Sequence, residues 1–324
     1  MAAEPTILVT GIGGNVGQGV ARIIRAVDPG LRIVGTNTEE VSGGNHLCDS
    51  VHRVPAATEP AYLEAITRIT RHENPSLVIP CTDYEAHALA SLGADLPPSG
   101  LSDSAVATTF LDKWKTFQTF VAFGLPFAPS SLPSAYDRRF SPVIVKPREG
   151  RGSRDLHWNP PRPDLYDDTF VVQEILSGDE LTIAAYVTQA GQLHGFIVLR
   201  RFLLAGTTNL CETVFDHDTR IAEFLEKLIR AIPVRGPFNV QAIACSDGSI
   251  VPFEVNGRVS GTASIRHHLG FRDVEYLLAE FVWKRPLAPV RITPGSAVRY
   301  LTDVIYPGLD LVSSRDRATP HIIF

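Results

Sequence analysis

Cysteine is scarce in this chain, as are long apolar runs and any excess of positive charge. Four cysteines, Cys48, Cys81, Cys211 and Cys245, are spread over 324 residues. They form no C-x-x-C pair, which excludes a zinc knuckle and a dithiol redox motif. Neutral or buried thiols in a reducing compartment are expected instead. No apolar stretch approaches the length of a membrane span. The opening MAAEPTILVTG runs straight into a strand, without the basic segment and apolar run of a secretory leader. A cytoplasmic protein with no membrane contact is expected. Thirty Lys and Arg against 35 Asp and Glu give a net charge of -5, which argues against a general nucleic-acid binder. The P-loop pattern GxxxxGK[ST] is absent, as are internal repeats and low-complexity tracts.

What is present suits a sizeable core: 44% of residues are hydrophobic, and the length suits two or three domains. The first third reads as strand, glycine loop, helix, strand. Ile7 to Val9 is a buried strand. Gly11, Gly13, Gly14 and Gly17 follow, then a helix with Val16, Val20, Ile23, Ile24 and Val27 on one face. The loop has the look of a dinucleotide fingerprint, which would make the chain an NAD(P)-dependent oxidoreductase. Asn37, however, stands where an acid would hold the adenine ribose. A doubly wound fold without a dinucleotide is the other reading. Asp83 and Glu85 lie at a strand's carboxyl end, where they either hold a ligand or serve the following helix as caps.

The middle section predicts one amphipathic helix over 108–123, with Trp114, Phe117, Phe120 and Val121 on its apolar face. In PVIVKPREGRGSRDL (142–156), Lys146 ends a strand on the same side as Ile144. Gly150, Gly152 and Ser153 follow it, either as a phosphate clamp or as an exposed basic hairpin loop. Strands are expected near Phe170–Gln173, Leu181–Val187 and Phe196–Leu199. Glu180 is open between a turn carboxylate and a ligand group.

The most informative stretch is 236–262, GPFNVQAIACSDGSIVPFEVNGRVSGT. Ser246-Asp247-Gly248 is a turn between two apolar runs. On the second strand Glu254 and Asn256 are two apart and leave the same face. Gln241 can sit opposite them, and Arg258 follows. Oxygen donors in this pattern suit magnesium, and an arginine beside them suits a phosphoryl group. By spacing alone the alternative is the polar outer face of an ordinary hairpin.

Taken together, Lys146, its glycine loop, QEILSGDE and NVQ…FEVNGRVSG resemble the ATP-grasp superfamily, most of all its carbamoyl-phosphate-synthase-like, carboxylate–amine ligase branch. The resemblance spans about residues 5–300. It implies α/β plus α+β architecture, with an N-terminal open parallel α/β (pre-ATP-grasp) domain over 1–107. A small lid lobe with its linking helix would cover 108–180, and a C-terminal lobe carrying the metal site 181–324, the two lobes enclosing ATP. It implies that Lys113 and Lys146 touch ATP phosphates and that the loop holding Gly150, Gly152 and Ser153 closes over them. Glu174 and Leu176 would read the adenine through backbone groups, and Glu180 would hold the ribose. Gln241, Glu254 and Asn256 would bind Mg2+, with Mn2+ an alternative, and Arg258 would stand beside the transferring phosphoryl group. Gly257 departs from the proline usual at that position.

The implied activity is an ADP-forming ligase that activates a small-molecule carboxylate and joins it to an amine. A non-catalytic ATP-binding sensor on the same fold is the alternative. Arg200, Thr207, Arg266, His267 and Arg299 are weaker candidates for substrate contact. A homodimer through the N-terminal domain is a family-level expectation.

Overall fold

The computed structural model describes residues 4–150, 154–310, 313 and 316–324. The chain begins with β1 (Thr6–Val9), α1 (Asn15–Val27), β2 (Arg32–Asn37), β3 (Ser50–Arg53), α2 (Ala61–Glu73), β4 (Leu77–Ile79) and α3 (Asp83–Ala90). The four strands pair in parallel in the order β3-β2-β1-β4. Strands covered by helices on both faces read as continuous apolar runs, and β1 and β4 are buried at every residue. The glycine loop therefore sits at the carboxyl edge of an open sheet, as expected.

Two helices follow, α4 (Ser104–Leu111) and α5 (Lys113–Ala122). The sequence predicts one helix here, and the structure breaks it at Asp112. That residue is extended (φ -98°, ψ 111°), and its carboxylate accepts the backbone N–H groups of Trp114 and Lys115. An Asp cap at a helix start outcompetes continuation of the earlier helix. Val106, Phe110 and Phe120 bury in one core with Ile183, Phe224 and Phe238, so these helices pack on the large lobe rather than on the small one.

The small lobe is a four-stranded antiparallel sheet of β5 (Ser130–Ser131), β6 (Val143–Pro147), β7 (His157–Trp158) and β8 (Phe170–Glu174), in the order β5-β8-β6-β7. The large lobe contains β9 (Gly178–Val187), β10 (Leu193–Leu204), β11 (Thr207–Thr213), α6 (Asp218–Ala231), β12 (Gly236–Cys245), β13 (Ile250–Asn256), α7 (Ala263–His268), α8 (Asp273–Leu277) and β14 (Ser296–Val298). Its six strands run β13-β12-β9-β10-β11-β14. From Asp273 the chain makes one α-helical turn followed by a π-helical segment, Leu278–Trp283. The edge strand β14 ends at Val298.

The N-terminal sheet and the large lobe share a core. Ile7, Ile33 and Leu77 cluster with Tyr186, Ile197, Phe271 and Tyr276. Burial of this kind stabilises by roughly 25 cal/mol per Å² of apolar surface and locks the two units into one body. Among the described residues, no helix is long and apolar enough to cross a membrane.

Candidate functional site

The two antiparallel sheets face one another across a cavity of about 300 Å³. The small lobe supplies Ile144, Lys146, Gln173 and Glu174. The large lobe supplies Glu180, Arg201, Gln241, Ile243, Phe253 and Glu254. Lys113, from the start of α5, and Gly150 close one end, and Ile175 and Leu176 line the segment that joins the lobes. Apolar walls with a few convergent charges are what a nucleotide-sized ligand requires.

Lys146 is 5% exposed. Burial pushes its pKa down to about 8, and nearby Lys113 adds to the fall, against the pull of Glu254 and Glu180. Its ammonium lies 5.3 Å from the centre of the Phe253 ring, which offsets part of the lost hydration. Lys113 is 7% exposed. Its ammonium donates to the carbonyls of Arg148 at 3.5 Å and Gly150 at 3.4 Å. Arg148 is held in turn by a two-pronged bond to Asp112, at 2.5 and 3.2 Å. The residue that breaks the helix thus also anchors the strand end that carries the loop. Two ammonium groups in one dry pocket call for anionic ligand groups.

Gln241 pairs directly with Glu254 across β12 and β13, and Asn239 pairs with Asn256. The Asn256 amide nitrogen donates to Glu254 at 3.1 Å, which leaves the amide oxygen for another partner. Burial would raise the Glu254 pKa, but Lys113 and Lys146, with the Asn256 bond and Arg258, hold it below the usual carboxylate value. An ionised carboxylate with two amide oxygens fits a hard cation that takes its other oxygens from phosphates and water. Among the described residues, no three His, Cys, Asp or Glu side chains gather as a metal cage. A cation at this hairpin therefore suits a nucleotide-bound ion rather than a protein-caged one.

Glu180 is ion-paired with Arg201 at 2.7 Å. The sequence offers Arg201 only beside Arg200, as an acceptor-side contact, and not as the partner of Glu180. Strand alternation was the available signal, since Arg200 and Arg201 must face opposite sides of β10. Arg200 faces away and pairs with Asp179 and Glu212 at 2.7 and 2.8 Å. Gly152 and Ser153 lie outside the described residues.

The other candidates are not gathered at this cavity. Thr207 is exposed on β11, its hydroxyl on the Leu204 carbonyl at 3.0 Å. Arg266 is 1% exposed and ion-paired with Asp273, with further bonds to Ser260 and Thr262. Its guanidinium is turned into the protein and does not line this cavity. His267 lines a separate cleft with Arg22 and Ser264, and burial lowers its pKa. Arg299 is half-buried and donates to the Gly261 carbonyl at 2.7 Å.

Arg258 stands apart from the cavity wall, bonded to Asp83 of the N-terminal domain. Asp83 does not cap α3. Thr82 does, by accepting the N–H of Glu85. The glycine loop is explained by packing: a Cβ on Gly17 would lie 2.5 Å from the Gly11 carbonyl oxygen, and one on Gly13 would lie 2.8 Å from the Asn37 amide. At Gly17 the helix approaches the loop backbone too closely for any side chain, whereas at Gly13 the neighbour is the end of the Asn37 side chain.

A parallel sheet followed by two antiparallel sheets that flank a cavity is a multi-domain α/β architecture consistent with an ATP-grasp-like fold. The family described as ATP-grasp in the biosynthetic pathway with Ter operon matches residues 167–304, and the PylC-like N-terminal domain matches residues 7–99. The chain belongs to the ATP-grasp superfamily. No curated protein matches it. Among solved structures it is similar to N5-carboxyaminoimidazole synthetase from Staphylococcus aureus complexed with ADP. That match has TM-score 0.75 and 14% identity, and covers 92% of this chain and 82% of the other. It is also similar to the biotin carboxylase domain of 2-oxoglutarate carboxylase from Hydrogenobacter thermophilus, at TM-score 0.71 and 13% identity over 93% and 75% of the two chains. An L-amino acid ligase from Bacillus licheniformis matches at TM-score 0.68 and 14% identity over 87% and 75%.

Proposed function

We propose that the chain is an ATP- and magnesium-dependent ligase that activates a small-molecule carboxylate and joins it to an amine, releasing ADP and phosphate. The observation that carries this is the convergence of Lys146 from the small lobe with Glu254 and Gln241 from the large lobe on one cavity. The similar structures are named as a synthetase, a carboxylase and a ligase, two of them with ADP bound, which supports the reading.

ATP would lie between the lobes, its adenine against Ile144, Ile243 and the backbone of 174–176, and its ribose near Glu180 and Arg201. Lys113 and Lys146 would hold the phosphates, with Gly150 beside them. Magnesium held by Glu254, Asn256 and Gln241 would screen phosphate charge. A carboxylate oxygen attacks the γ-phosphorus, a new P–O bond forms, and the bond to the ADP oxygen breaks. Lys146 and Arg258 stabilise the charge that spreads over the transferring group. The amine nitrogen then attacks the acyl carbon, phosphate leaves with the former carboxylate oxygen, and the nitrogen loses a proton. Arg299, with no acidic partner among the described residues, is the group we assign to an anionic part of the acceptor.

A nucleotide sensor on the same fold is the second reading. It is favoured by the single carboxylate among the three cation ligands. Turnover separates the two. A panel of carboxylates and amines is expected to give magnesium-dependent release of ADP and phosphate, and Glu254→Gln is expected to abolish it in a folded protein. Release of AMP would contradict the acyl-phosphate route, and tight ATP binding without turnover across the panel would favour the sensor.

A further inference from the structure

Asp83 is the first residue of α3, at the carboxyl end of β4, and Arg258 directly follows the cation-binding end of β13. They are 175 residues apart in the chain, yet their side chains form a charged hydrogen bond and each is only 12% exposed. The rest of the Arg258 guanidinium has little hold. One Nη donates to the carbonyl of the adjacent Val259 at 3.1 Å, and the buried Nε has no partner among the described residues. A single carboxylate from another domain therefore fixes where this arginine points. The N-cap of α3 is Thr82, so the Asp83 carboxylate is not taken up by capping its own helix. The arginine lies within electrostatic reach of the cation ligand, because its charge is one of those that keep Glu254 ionised.

We propose that Asp83 is a positioning residue, which holds Arg258 to meet the phosphoryl group leaving ATP and so makes phosphoryl transfer depend on the N-terminal domain. The inference rests on the role proposed above for Arg258. An arginine already held in place pays no ordering entropy when charge develops on the phosphoryl oxygens. One left unpaired can turn toward solvent, and its contribution to the transition state falls while ground-state nucleotide binding persists. The shared core of the N-terminal domain and the large lobe keeps the two partners in register.

The test compares MgADP binding with and without aluminium fluoride, a mimic of the transferring phosphoryl group, by calorimetry. The unaltered protein binds tighter with fluoride. Asp83→Asn is expected to lose about tenfold or more of that gain while binding MgADP alone within about twofold of the unaltered protein. Arg258→Ala loses the gain as well, and the double variant loses no more than Arg258→Ala alone, since both changes remove one interaction. Asp83→Glu, which keeps the charge but lengthens the arm, gives an intermediate loss and decides the matter if Asp83→Asn does not fold. Full gain in either Asp83 variant, or losses that add in the double variant, would overturn the inference while leaving the proposed function standing. Full gain in Arg258→Ala, or none in the unaltered protein, would instead overturn the role given to Arg258 and the inference with it.

Discussion

Lys146 and Glu254 face one cavity, and each shapes the other's protonation. Lys146 is charged below about pH 8 and loses its proton as pH rises through that value. Nucleotide affinity is therefore expected to be flat below pH 8 and to fall by up to about tenfold per pH unit above it. Lys146→Arg, whose charge persists past about pH 12, should bind more weakly but without that fall. A titration of MgADP across this range checks both outcomes, and a flat profile in the unaltered protein would contradict the assignment. The stability contribution runs the other way. The folded pKa lies below the ordinary value of 10.5, so the unfolded chain binds more protons between the two values, and the stability contributed by this group rises with pH there.

The pairing of Gln241 with Glu254 was legible in the sequence. Strand alternation and the Asp247-Gly248 turn leave few registers for a hairpin of this length. The partner of Arg258 was not, because nothing local to 258 points to Asp83. Arg266 is a related case. Arg266-His267-His268 reads either as a substrate contact or as polar packing, and only the tertiary fold pairs Arg266 with Asp273 in the core.

Among the elements, the junction of α4 and α5 does the most to place the site. Continuous apolar periodicity over 108–123 concealed it, since both halves bury residues on the same large-lobe core. The Asp112-Lys113 pair was the signal for a cap, and it was outweighed by that periodicity. Asp112 is 3% exposed, caps α5 and binds Arg148. Burial would raise its pKa, but the Arg148 bond and two backbone N–H groups hold it below the usual value. Its contribution is therefore fully present above the ordinary Asp pKa and is lost as pH falls through the lower folded value. Asp112→Ala is expected to destabilise the fold by about 2–4 kcal/mol, from a lost cap and a broken, largely buried ion pair. It should also weaken nucleotide binding, because Lys113 and the strand end at Arg148 lose a common anchor. Chemical denaturation with a parallel nucleotide titration checks both. Unchanged affinity in a destabilised protein would confine Asp112 to a structural role.

At the scale of the whole molecule, the grouping of the elements follows from which buried residues share a core. The N-terminal sheet and the large lobe are joined by one core, and α4 and α5 belong with the large lobe. Such sharing depends on contacts between residues far apart in the chain, which composition and periodicity do not encode. The small lobe, with its own small cluster of Val143, Val145 and Val172, is the unit left to move against the rest. Closure of that lobe would carry Lys146 toward Glu254 and exclude water from an acyl phosphate.

The proposed chemistry requires that this interlobe cavity hold ATP with a magnesium ion on the β12–β13 hairpin. Calorimetric titration of ATP into the protein, with and without magnesium, tests it most directly. One site per chain is expected, strengthened by magnesium, lost in Lys146→Met and deaf to magnesium in Glu254→Gln. Failure to bind ATP, or binding indifferent to both substitutions, would contradict it.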